Sequence, residues 1–290
     1  MKKLLISIGC IAILAIGFTW FISDRDRGMW LLSSALKIAN PIDVAEDIAY
    51  GDQPWQKLDV YKQESSAPVL IFIHGGSWRH GRKDQYRFAA DAFHRLGYTV
   101  ILPDYIKYPK PEARYPSFAV DAAKAIAWTK ANIAEYNGNP ENLFLSGHSA
   151  GAHTVAMVAT DGRFLAAEGL SEHDLSGVAG IAGPYSFTPD WEVTKAVFGP
   201  PENYPLMDAT NYVDGSEPDT ILLHSSDDAQ VGQYNLEKLS TKLKESNVTV
   251  ETSLYKGLNH IDMVLHLHPW FTKHANIAKD IDVFFKKRVK

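Results

Sequence analysis

From Tyr50 to the C-terminus, short β-rich runs take turns with stretches of helical period, and few folds accept that rhythm. "KLDVY" (57–61) alternates like a strand, and "APVLIFIHGG" (67–76) is a continuous apolar run halted by two glycines, as in a strand buried on both faces. "DQYRFAADAFHRLG" (84–97) has helical spacing, with Asp84 as the expected N-cap and Gly97 as the stop. "PSFAVDAAKAIAWTKANIAEYNG" (116–138) reads as a long Ala-rich helix with Pro116 in its first turn and Gly138 near its end. Further strands are expected at 98–105, 142–147, 178–185, 219–226 and 249–255, with helices at 235–247 and 276–287. Strands alternating with helices predict an α/β fold, a mostly parallel central sheet with helices on both faces, in one domain over 50–290.

Residues 186–217 break the rhythm. Pro189, Pro200, Pro201 and Pro205 stand among Phe187, Trp191, Phe198, Tyr204 and Tyr212. Two readings stay open: a short cap insertion serving as lid or pocket wall, and an ordinary crossover with awkward loops.

Ahead of the body, Leu4 to Ile22 carries no charge and follows two lysines. As a helix it would reach about 28 Å, close to the hydrocarbon thickness of a bilayer. Residues 1–23 are expected to form an N-terminal membrane anchor, with Trp20 and Phe21 at the interface and 24–49 as linker and leading helix. A signal peptide cleaved near Ala15-Ile16-Gly17 is the alternative, and a lipoprotein site at Cys10 has too short an apolar run before it. Either of the first two places the body outside the cytoplasm, anchored or released. A formal net charge of −5 provides no basic footprint for nucleic acid, and the single cysteine rules out a Cys-based zinc site. No metal or cofactor is expected.

The chemistry concentrates at "NLFLSGHSAGAH" (142–153), where an apolar strand stops at a serine between two glycines and small helix-formers follow. A Cβ at either glycine would crowd the turn that exposes the Ser149 hydroxyl. Alone the pattern is weak, since chance supplies it in roughly one chain in ten of this length. Nucleophilic acyl transfer also needs a base, a carboxylate to orient it, and donors for an oxyanion. "LLHSSDDAQVG" (222–232) sets two carboxylates at the end of a buried strand, and "YKGLNHID" (255–262) sets His260 just after the last strand. Both loops would open on the sheet edge that carries Ser149, where parallel sheets bind ligands. Asp228 begins a D-x-x-V pattern and is the expected partner of His260, leaving Asp227 to cap the turn. The oxyanion donors are expected to be the N–H of Ala150 and that of Gly76 or Ser77 in "HGGSW" (74–78), where glycines allow close approach. Plainer roles suit the other histidines: His74 bonding its loop, His148 and His153 packing at the turn, His224 in the core, and His266, His268 and His274 at the surface.

Taken together, "FIHGGSWRHGRK", "PDY", "LSGHSAGAH", "DDAQV" and "GLNH" resemble the α/β-hydrolase superfamily. The likeness is closest to small carboxylesterases of the feruloyl-esterase-like, kynurenine-formamidase-like and prenylcysteine-methylesterase-like branches, and runs from about Tyr50 onward. It implies an α/β-hydrolase fold and a serine hydrolase acting on a small-molecule ester with Ser149, Asp228 and His260 as triad. An amide-directed hydrolase, formamidase or peptidase, shares that triad, and an inactive membrane-tethered binding module shares the fold. The chain departs from the pattern at Ile106, where the family often has an arginine that braces the fold, and at Gly232, where a proline is common. Ser77 also replaces the last glycine of the HGGG form.

Overall fold

The computed structural model describes residues 25–272 and 275–290, so the expectations for 1–23 and for His274 fall outside the described residues. Among the described residues, no helix is long and apolar enough to cross a membrane. The strands are β1 (Val44–Ala49), β2 (Lys57–Tyr61), β3 (Ala67–Ile73), β4 (Thr99–Pro103), β5 (Gly138–His148), β6 (Leu175–Ile181), β7 (Thr220–Ser225) and β8 (Val250–Tyr255). They form one sheet in the order β1-β2-β4-β3-β5-β6-β7-β8, parallel from β4 to β8, with β1 and β2 antiparallel at one edge. The helices are α1 (Arg25–Ala39), α2 (Arg87–His94), α3 (Ser117–Asn132), α4 (Ala150–Thr160), α5 (Arg163–Ala166), α6 (Glu192–Phe198), α7 (Tyr234–Glu245), α8 (His260–Leu265) and α9 (Ile277–Lys286).

Helices cover both faces, so the central strands are apolar on both. Along β3, Val69, Ile71 and Ile73 enter one core while Leu70 and Phe72 enter the other. That period-two division between two cores is why the run has no polar alternate positions. The long α3 stops at Asn132, a 3-10 turn carries the chain to Tyr136, and Asn137 takes the left-handed conformation at φ 60°. Gly138 already pairs with Ala67 as the first residue of β5.

Four local expectations are corrected. Asp84 is not an N-cap: a 3-10 turn over Lys83–Tyr86 precedes α2, and Asp84 sits inside it, paired to Arg82. The cause is Lys83, whose amide donates to Asp104 and whose ammonium is held by Asp59 at 2.6 Å, winding the chain before the helix begins. The sheet starts at Val44, ahead of Tyr50, because "VAEDIA" pairs with β2. Glu46 and Asp47 hide that strand from a hydrophobic reading and guard an exposed edge. Residues 25–39 are more than a leading helix, since Met29 and Leu36 of α1 are buried in the core. Finally, His268 is buried, with Nε2 at 2.9 Å from Asp91, which Asn40 and Arg95 also approach.

The strand order places the crevice at the carboxyl edge of the sheet. β4 lies on one side of β3 and β5 on the other, so the chain changes direction across the sheet between β3 and β5. Loops leaving such neighbours diverge and open a crevice at the carboxyl edge. Ile73 pairs with Gly147, so the loop at His74 and the turn at Ser149 emerge side by side.

Candidate active site

Ser149 is the single residue between β5 and α4, at φ 56° and ψ −123°. A side chain in that region costs on the order of 1–3 kcal/mol and persists only where neighbours impose it. They do. The Ser149 N–H donates to Ile181 O at 2.9 Å, while a Cβ on Gly147 would lie 2.6 Å from the Gly151 backbone and one on Gly151 only 2.1 Å from Ile73 O. Gly147 lets the start of α4 fold back over the end of β5, and Gly151 lets it lie against the end of β3.

His260 is buried at the first position of α8, a helix begun by the Asn259 side chain, which accepts from the amides of Ile261 and Asp262. Its Nε2 lies 2.8 Å from Ser149 Oγ and its Nδ1 2.6 Å from Asp228 Oδ2. The other Asp228 oxygen accepts from the amides of Gln230 and Val231 at 2.8 and 3.0 Å. Burial alone would raise the Asp228 pKa, but the hydrogen bond and charge of His260, with those two amides, hold the carboxyl below its ordinary value. Asp227 is exposed and turns away, its carboxylate accepting from the Gly257 amide at 2.8 Å and from Ser226 Oγ. It ties the loop after β7 to the loop after β8.

Two further histidines hold this arrangement in place. His148 Nε2 lies 3.0 Å from His260 O, and His224 Nε2 lies 3.0 Å from Val231 O, both donating because carbonyls only accept. Burial pushes the His224 pKa down. No short motif signals these contacts, because each joins segments that no local pattern connects.

The loop after β3 folds onto the turn at Ser149. A Cβ on Gly75 would stand 2.8 Å from His148 O, and one on Gly81 would stand 2.3 Å from Gly75 O. Ser77 and Trp78 both adopt φ 54°, which turns the loop toward the crevice, where Ser77 and Ala150 border the same cavity as Ser149. Gly76 sits one step back, its carbonyl accepting from the amides of Arg79 and His80. Asp104 fastens the loop through His74 Nε2 at 3.2 Å, and Tyr105 donates to His74 O at 2.9 Å. Lys107 donates to Gly81 O at 2.8 Å and to Asp104 at 2.9 Å. Ile106 is buried, so the brace comes from the cation one residue later.

The cavity holds about 500 Å3. The segment 186–217 supplies one wall through Phe187, Asp190 and Trp191, and the strap after Asp228 supplies another through Val231 and Tyr234. Trp78 closes the "HGGSW" stretch and Trp191 belongs to the aromatic insertion, whereas Tyr234 is a pocket residue that no motif singles out, its only sequence signal being its place just past D-x-x-V. Among the described residues, no His, Cys, Asp and Glu group is arranged to hold a metal ion.

This strand order, with a glycine-flanked serine after β5 and an acid and a histidine after β7 and β8, defines an α/β-hydrolase fold. Residues 58–243 match the BD-FAE family, and the chain belongs to that family. Esterase LipC of Mycobacterium tuberculosis is 35% identical over 155 residues, covering 50% of this chain and 37% of that protein. The probable isoprenylcysteine alpha-carbonyl methylesterase ICMEL1 of Arabidopsis thaliana is 25% identical over 249 residues, covering 77% and 52%. The chain thus spans about half or less of these curated relatives. Among solved structures, a truncated carbohydrate esterase from gut microbiota superposes with a TM-score of 0.73 at 19% identity, covering 85% of this chain and 96% of that one.

Proposed function

We propose that this chain hydrolyses carboxylic esters through an acyl-enzyme, with Ser149 as nucleophile, His260 as general base and then acid, and Asp228 as the carboxylate that orients the imidazole. The observation that carries the reading is the line from Asp228 through His260 to Ser149, at 2.6 and 2.8 Å. With its Nδ1 proton directed at Asp228, His260 presents a basic Nε2 to Ser149 Oγ. The hydroxyl oxygen attacks the ester carbonyl as Nε2 takes its proton, and the imidazolium that forms faces a carboxylate that stays ionised. The oxyanion is received by the Ala150 N–H at the start of α4 and by the amide of Gly76 or Ser77. His260 then protonates the departing alcohol, and a water molecule repeats the cycle on the acyl-enzyme.

The names of the relatives support an ester as the substrate class. The test is turnover of p-nitrophenyl butyrate by the purified full-length chain beside Ser149→Ala. Loss of about four orders of magnitude or more in kcat is expected. Retention of a tenth of wild-type turnover by the variant would exclude Ser149 as nucleophile, and an inert wild type would shift the search to amides.

From the uncharged run Leu4 to Ile22 behind two lysines we further infer that residues 1–23 anchor the catalytic domain outside the cytoplasm, with a cleaved signal peptide that releases it as the alternative. It predicts that the full-length chain stays with membranes after carbonate extraction and that added protease reaches the domain in intact cells. Release by carbonate would overturn it.

A further inference from the structure

Two cavities flank one cluster of rings. The first is the cavity at Ser149, which Trp78 and Phe187 close on one side. The second, about 400 Å3, opens among Tyr115, Phe164, Leu206 and Tyr212, with Phe198 in its wall. No residue lines both. Between them Trp78, Phe187 and Phe198 pack around the buried ring of His153: Trp78 and Phe187 lie nearly parallel with centroids 6.0 Å apart, and Phe198 stands edge-on to them at 4.8 and 5.6 Å. Trp78 and Phe198 are each only 3% exposed, so the partition is filled through its thickness.

The reaction geometry decides which end of a substrate meets that partition. The leaving alcohol has to sit beside His260 Nε2, which returns a proton to it, and His260 is bordered by the strap at Gln230 to Tyr234. The carbonyl oxygen points at the amides of the loop and of Ala150. On the ester-hydrolase reading, the acyl substituent is the one left to meet the wall away from His260, which Trp78 and Phe187 line.

Resting on the ester-hydrolase reading, we infer that Phe187 and Phe198 set an acyl-length limit: the ring partition confines turnover to short acyl groups, and the second cavity is the space a longer chain takes once the rings are removed. The second cavity suits a hydrocarbon chain. Its wall is largely aromatic and aliphatic, and the guanidinium of Arg163 is already engaged by both oxygens of Asp161 at 2.7 and 2.6 Å.

The experiment measures kcat/KM of the full-length protein on p-nitrophenyl acetate, butyrate, octanoate and laurate, each expressed relative to acetate. Wild type should favour acetate and butyrate over octanoate by about tenfold or more. Each methylene that gains burial adds roughly fourfold. Phe187→Ala should therefore raise the octanoate ratio about tenfold or more, and Phe187→Ala with Phe198→Ala should extend the gain to laurate. Leu206 lines the second cavity alone, so Leu206→Trp in that double variant should remove the laurate gain and spare the octanoate gain. If the alanine variants fail to fold, Phe187→Leu and Phe198→Leu should shift the profile the same way by a smaller factor. Unchanged ratios in folded variants, or a wild type that accepts laurate as readily as acetate, would overturn the acyl limit with the ester reading intact. A wild type inert on all four esters would overturn both.

Discussion

His148 donates its Nε2–H to the backbone carbonyl of His260 at 3.0 Å, so the residue before Ser149 grips the residue whose imidazole meets the Ser149 hydroxyl. The two rings lie 4.8 Å apart. A shift of about 1 Å at a reacting pair can cost on the order of a hundredfold in rate. His148→Phe, which removes the donor, should lower kcat about tenfold to a hundredfold while KM changes less than about threefold. His148→Gln, which restores an N–H donor, should recover most of the loss. A variant with wild-type kcat and only a lower melting temperature would make the contact purely structural.

The adjacent aspartates are expected to separate cleanly. Asp228→Asn removes the carboxylate from a His260 partner that it meets at 2.6 Å, and should cost on the order of 10^4 in kcat. Asp227→Asn weakens a surface tie to the Gly257 amide and should leave kcat within about threefold. Steady-state kinetics on one ester distinguishes the two, and equal losses would return the assignment to an unresolved pair.

Lys107 is predicted to position the loop in which the proposed function places an oxyanion donor. It holds Gly81 O and Asp104 together from the residue after Ile106. Lys107→Met should reduce kcat roughly tenfold with KM nearly constant, because losing alignment of one donor weakens transition-state binding more than ground-state binding. Lys107→Arg should restore it. Failure of arginine to rescue would sink the bracing role.

His153 should make stability depend on pH. It is fully buried, with Nε2 at 2.8 Å from Met207 O and its ring edge-on to Trp78 and Phe187. Burial pushes its pKa from 6.5 down to about 4. The sign follows from the depressed value. Above about pH 6.5 both folded and unfolded chains hold the ring neutral; as the pH falls toward 4, only the unfolded chain gains the proton. Folding should therefore lose on the order of 3 kcal/mol across that window from this residue. Melting curves between pH 8 and pH 4 check it: His153→Gln should be less stable at pH 8 and show a shallower slope, and parallel slopes would refute the assignment.

How much of this is legible in the chain depends on the range of the cause. The runs expected at 57–61, 67–76 and 219–226 contain the strands Lys57–Tyr61, Ala67–Ile73 and Thr220–Ser225, because a buried strand is written in consecutive residues. The turn at Ser149 is readable because the glycines that permit it are its neighbours. β1 escapes such a reading, since "VAEDIA" is an edge strand whose charges face outward. His268 reads as a surface residue because Asp91, its partner, lies 177 positions away.

Local backbone preference and short-range periodicity already write the alternation of strands and helices and the bend that exposes Ser149 into consecutive residues, and the chain order of Ser149, Asp228 and His260 is read directly. Packing settles which aspartate meets His260, which histidines hold it, that Lys107 braces the neighbouring loop, and that packed rings stand between the cavity at Ser149 and its neighbour. Many of those relations join segments far apart in the chain, and no local pattern records a distance that only packing creates.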